Sequence, residues 1–115
     1  MTIEPAQLDL TIYQGASFNQ KFTLKNPNGT PVNLTGYSAI MEAKQNYYAA
    51  SPYISLTNSN CGIIIYNTKG VLVLYMSALQ TSALRIQKGM YELRIANGNM
   101  VYKIAQGNIL LNMEV

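Results

Sequence analysis

A chain of 115 residues without histidine lacks both the commonest general base and the commonest transition-metal ligand. Its five carboxylates, Glu4, Asp9, Glu42, Glu92 and Glu114, are scattered, with no pair at close sequence spacing. Cys61 is the single cysteine, so neither an intrachain disulfide nor a cysteine zinc cluster can form. It precedes Gly62 and an apolar run, with no cation nearby in sequence to lower its pKa. The expected state is a buried or half-buried small hydrophobe. Serine and threonine are plentiful, yet no Gly-x-Ser-x-Gly element and no glycine-rich phosphate loop occurs. Asn33-Leu34-Thr35 matches a glycosylation sequon, but no export signal accompanies it. This inventory implies no catalytic residue, no metal site and no cofactor.

Nine tyrosines and no tryptophan carry what recognition chemistry remains. Tyr13, Tyr91 and Tyr102 fall in alternating runs and read as sheet packing. Tyr47, Tyr48 and Tyr53 cluster in the stretch 45–53, which has no clean period and contains Ser-Pro. Such a cluster anchors a protein interface, stacks on a sugar, or tucks over one end of the fold.

Hydrophobic residues make up 49% of the chain and charged residues only 11%, against about 25% in an average domain. Twelve Asn and seven Gln supply polarity instead. The net charge of +3 comes from scarce acids, because the eight Lys and Arg are spaced singly rather than in a patch. Neither nucleic acid nor membrane is an expected partner. No run of apolar residues is long enough for a transmembrane helix, and Met1 to Pro5 lack signal-peptide character. An unexported chain made in the cytoplasm is the simplest reading.

Period-two alternation, punctuated by turns every eight to twelve residues, predicts an all-β fold. Leu8 to Tyr13, Phe18 to Leu24, Tyr37 to Lys44, Ile54 to Leu56, Gly62 to Tyr66 and Val71 to Met76 read as strands. Val32 to Leu34 is at most an edge fragment beside Pro31. Ser77 to Leu84 predicts one short helix, with Ser77 as N-cap and Leu79 and Ala83 four apart. Asn97-Gly98 between two alternating runs signals a tight hairpin of type I′. A separate last strand is expected over Ile109 to Val115, after Gly107. About eight or nine strands in a single domain, with an N-terminal arm over 1–7, predict an Ig-like antiparallel β-sandwich. A small closed barrel is the competing geometry.

The punctuation has a recognisable order. Gln14-Gly15-Ala16-Ser17-Phe18 is followed by Asn28-Gly29-Thr30-Pro31-Val32-Asn33-Leu34-Thr35-Gly36-Tyr37, then Met76-Ser77-Ala78, then Gly89-Met90-Tyr91-Glu92-Leu93, then Gly107. From about Leu8 onward this resembles small β-sandwich tail and baseplate proteins of tailed bacteriophages, including the N-terminal domain of upper-baseplate proteins. Asn28 and Asn33 stand where such sequences commonly have Asp. The resemblance implies a structural virion protein without catalytic residues. It would be a tail or baseplate adaptor joining other tail, baseplate or portal-proximal proteins, in multiple copies of a symmetric assembly. A capsid decoration or head-fibre protein is the alternative in that setting, and a carbohydrate-binding module the alternative of another class.

In the register of such proteins Ile63, Ile65, Leu72, Leu74 and Met76 point inward. Ile40, Ile64, Val71, Val73 and Tyr75 then point outward, where a one-sided sheet should be polar. These residues, with Tyr47, Tyr48 and Tyr53, are the expected protein interface. The competing expectation is that loop 45–53 or the short helix covers the apolar face within the same chain.

Overall fold

The computed structural model describes residues 6–113. Its strands are β1 (Ala6–Gln7), β2 (Leu10–Tyr13), β3 (Phe18–Thr23), β4 (Ser38–Lys44), β5 (Ile54–Thr57), β6 (Ile63–Tyr66), β7 (Val71–Met76), β8 (Lys88–Asn97) and β9 (Met100–Asn112). One helix, α1 (Ala78–Ser82), joins β7 to β8. In the larger sheet β1 and β2 both line β9, and the order continues β9-β8-β4-β5; the smaller sheet runs β3-β7-β6. Alternation places every second residue between the sheets. Leu10, Ile12, Met41, Leu72, Leu74, Leu93, Ile95 and Ile109 are fully buried in one shared cluster. The chain is an Ig-like β-sandwich.

Several local outcomes differ from the sequence expectation. The last two strands are one: β9 runs through Gly107, and a bulge at Ile104 lets both Ile104 and Ala105 face the core. Glycine here marks a close approach rather than a turn. A Cβ at Gly107 would collide with the Leu8 carbonyl, because the chain break between β1 and β2 lies against it. The β1–β9 and β2–β9 ladders are parallel, an exception in an otherwise antiparallel sandwich. Of the expected N-terminal arm, Ala6–Gln7 form β1, and residues 1–5 lie outside the described residues. So do Glu114 and Val115 of the expected last strand. The Asn97-Gly98 hairpin forms, but Asn97 pairs with Met100, so Gly98 and Asn99 are the central residues. Only Gly98 (φ 60°) has positive φ, which fits type II′ rather than I′.

The helix forms with its expected cap. Ser77 accepts from the Gln80 amide at 3.2 Å, and the Gln80 side chain accepts from the Ser77 amide at 2.8 Å. Its buried face, however, is not Leu79–Ala83: Leu79 is 82% exposed and Thr81 is 0% exposed. A helix of five residues is too short to hold by an apolar stripe, and hydrogen bonds hold this one. Thr81 Oγ1 donates to the Ala16 carbonyl at 2.8 Å and accepts from the Gly15 amide at 3.0 Å. Gln14 Nε2 donates to the Leu84 carbonyl at 2.9 Å. The β2–β3 turn, Gln14 to Ser17, is thus a clamp on the helix.

Val32 and Leu34 are buried without forming a strand, tied by amide donation to the Leu24 and Asn67 carbonyls at 3.1 and 2.8 Å.

Candidate interaction surfaces

The outer face of β3-β7-β6 is built by register. Lys21, Val73 and Ile64 form one cross-strand row; Thr23, Val71 and Tyr66 form the next; Asn19 and Tyr75 pair beyond them. Polar residues are confined to β3. Ile64 (46% exposed), Tyr66 and Tyr75 are each partly open to solvent. Val73 lies half-buried at the centre. Val71 is corrected: it is only 9% exposed, a short side chain between Thr23 and the Tyr66 ring. Ile40 is corrected too. Alternation says which side of a strand faces out but not which sheet the strand joins, and β4 joins the other sheet. Ile40 sits there half-buried between Arg94 and Thr57, lining a 430 Å3 hollow with Asn58 and Val101.

The outer face of β4-β8-β9 is the opposite in character. A groove of about 630 Å3 gathers Asp9, Glu42, Lys44, Glu92, Arg94 and Lys103 along its walls. Sequence spacing hid this grouping. Glu42 and Glu92 lie directly opposite across β4 and β8, an arrangement that like charges disfavour. Arg94 resolves it by pairing with Glu42 and approaching Glu92 at 3.5 Å, while Lys103 reaches Glu92 at 3.4 Å. Each carboxylate of the pair has a cation, and the arrangement is an ion network rather than an acid–base dyad.

The tyrosine cluster divides. Tyr48 (92% exposed) and Tyr47 (77% exposed) stand free of the core, their rings edge to face with centroids 5.6 Å apart, and Tyr47 forms part of the groove wall. Tyr53 is half-buried against the core, and burial raises its hydroxyl pKa. It belongs to packing: Gly89 lacks a Cβ where the Tyr53 hydroxyl sits. Loop 45–53 therefore serves the charged sheet and leaves the apolar face open. Tyr91 is buried where β8 crosses Gly107, and its hydroxyl donates to the Leu8 carbonyl. Burial first, and the charge of Asp9 second, push its pKa up to about 12. Asp9 in turn accepts from the Asn108 amide at 3.0 Å.

Cys61 is exposed, not buried as its apolar neighbours suggest. It occupies the turn before β6 with φ of 66°, so it precedes the strand instead of packing in it. Among the described residues no group of three potential metal ligands occurs.

No family model matches the chain. No curated protein matches it either. Among solved structures it is similar to one from a structure-based photo-crosslinking study of multimeric cell-adhesive interactions of VGSC beta subunits. The two share 11% identity over 98% of this chain and 100% of that one, with a TM-score of 0.50. That likeness is one of fold. No described helix is long and apolar enough to cross a membrane.

Proposed function

We propose that this chain is a non-enzymatic structural component of a tailed-bacteriophage particle, a tail or baseplate adaptor that joins other virion proteins. One observation carries the adaptor role: Ile64, Val73, Tyr75 and Tyr66 leave the outer face of β3-β7-β6 apolar and open. The phage setting rests on the order of turn and strand motifs along the sequence. Association energy comes from burying that face, at about 25 cal/mol per Å2 of apolar area less the costs of association. Asn and Gln at loops and edges set the register of the contact. The chain is made in the host cytoplasm and ends in the virion.

Val73→Lys tests the adaptor role. Val73 points away from the core, so the variant should fold as the parent does while losing incorporation into particles. Unfolding of the variant, or normal incorporation, would contradict it. A second reading, saccharide binding, is favoured by the exposed Tyr47 and Tyr48 rings and the groove that Tyr47 walls. A glycan-array signal abolished by Tyr48→Ala would establish it; absence of any signal would remove it.

A further inference from the structure

Four strand edges are exposed to pairing in a two-sheet sandwich, and three of them are guarded. The β1–β2 edge is interrupted at Leu8–Asp9 and carries the Asp9 carboxylate. The β3 edge carries Lys21 at mid-strand. On β5, Asn60 clamps the outward backbone groups: its Nδ2 donates to the Ser55 carbonyl at 3.0 Å, and its Oδ1 accepts from the Thr57 amide at 2.9 Å. The β6 edge, Ile63-Ile64-Ile65-Tyr66, has no charge, no proline, no bulge and no clamping side chain.

The free groups on β6 follow from its ladder. The Tyr75 amide donates to the Gly62 carbonyl at 2.8 Å, so Gly62–Tyr75 is a bonded pair, as are Ile64–Val73 and Tyr66–Val71 by alternation. Ile63 and Ile65 therefore aim their N–H and C=O groups away from β7, and no described residue takes them. The next outward carbonyl, that of Asn67, is already taken by the Leu34 amide at 2.8 Å. The open window is thus Ile63 to Ile65.

We propose that β6 pairs antiparallel with β6 of a second copy of this chain, about a two-fold axis at Ile64. This register satisfies every free group of the window: Ile63 exchanges both bonds with the second copy's Ile65, and the reverse. It is also self-complementary in side chains. Ile64 faces the second copy's Ile64 as a non-bonded, close pair on the outer face. Tyr66 lies opposite the second copy's Gly62, beside that copy's Asn60 and Leu56 side chains. No charge meets its like. The two small sheets become one, and the apolar outer faces join across the axis.

The pairing deepens the multi-copy part of the virion reading but is tested on the purified chain, so either can fail alone. Sedimentation velocity under reducing conditions, which keeps exposed Cys61 from cross-linking, should show mass rising with concentration from 12.7 kDa toward twice that value. Ile64→Lys and Ile64→Glu should each stay monomeric at every concentration with the parent's circular dichroism. Mixed in equal amounts, they should regain the dimer, since Lys then faces Glu. A parent that remains monomeric throughout overturns the proposal. So does a dimer that survives Ile64→Lys, or a Lys–Glu mixture that stays monomeric while both variants are folded.

Discussion

Thr81 and Tyr91 are buried polar residues whose hydrogen bonds tie segments distant in sequence. Thr81→Val keeps the shape but strands the Gly15 amide and the Ala16 carbonyl, so it should destabilise the fold by about 1–3 kcal/mol in urea unfolding. Wild-type stability there would mean that the helix is held by something other than this clamp. Tyr91 predicts a pH dependence. Its folded pKa of about 12 exceeds the ordinary 10.0, so the folded state holds the phenolic proton more tightly than the unfolded chain does. Its stabilising contribution is complete below the ordinary value and is lost as pH climbs toward the folded one. Denaturation followed through that alkaline range should show stability falling, with a shallower fall in Tyr91→Phe. Tyr53, also raised, retains part of the slope in the variant. An unchanged slope would show that Tyr91 titrates as an ordinary phenol. Neither residue was legible as a tether, because strand alternation records burial and not the partner of a hydroxyl.

Strands were the most legible feature, for a physical reason: burying one face of a sheet forces the alternation seen in Ala39-Ile40-Met41-Glu42-Ala43 and Tyr91-Glu92-Leu93-Arg94-Ile95. Sheet membership has no such local imprint. Alternation alone therefore groups Ile40 with Ile64, although β4 and β6 belong to different sheets. Gly107 misled in the same way, since a glycine that ends a strand and one that admits a crossing carbonyl look alike in sequence. Gly107→Ala tests that distinction. The added methyl meets the Leu8 carbonyl and should destabilise by about 1–3 kcal/mol through displacement of β1 and β2. A neutral substitution would place the β1–β2 break elsewhere. By contrast Glu92→Gln, in the half-exposed network on the charged sheet, should change stability by no more than about 1 kcal/mol. A larger loss would mean that the network does more than balance Glu42 against Glu92.

On the scale of the molecule, the scarcity of charge takes on a geometry. Six of the charged residues line one groove on the larger sheet, while the outer face of the smaller sheet has Lys21 alone in its central rows. A sandwich with one ionic and one apolar face is suited to sitting between partners, with the apolar side covered. The alternation of the strands marks Ile64, Val73 and Tyr75 as outward apolar positions, but it also marks Ile40 and Val71, which the fold places otherwise. The ionic face has no such mark, since Glu42, Glu92, Arg94 and Lys103 converge only once β4, β8 and β9 are aligned. The proposed role as a virion adaptor is tested most directly by seeking this chain in a reconstruction of purified tailed-phage particles. The account predicts several symmetric copies whose β3-β7-β6 faces, with Ile64, Val73 and Tyr75, are buried against other virion proteins. Purified particles that lack the chain, or copies whose β3-β7-β6 faces point to solvent, would contradict it.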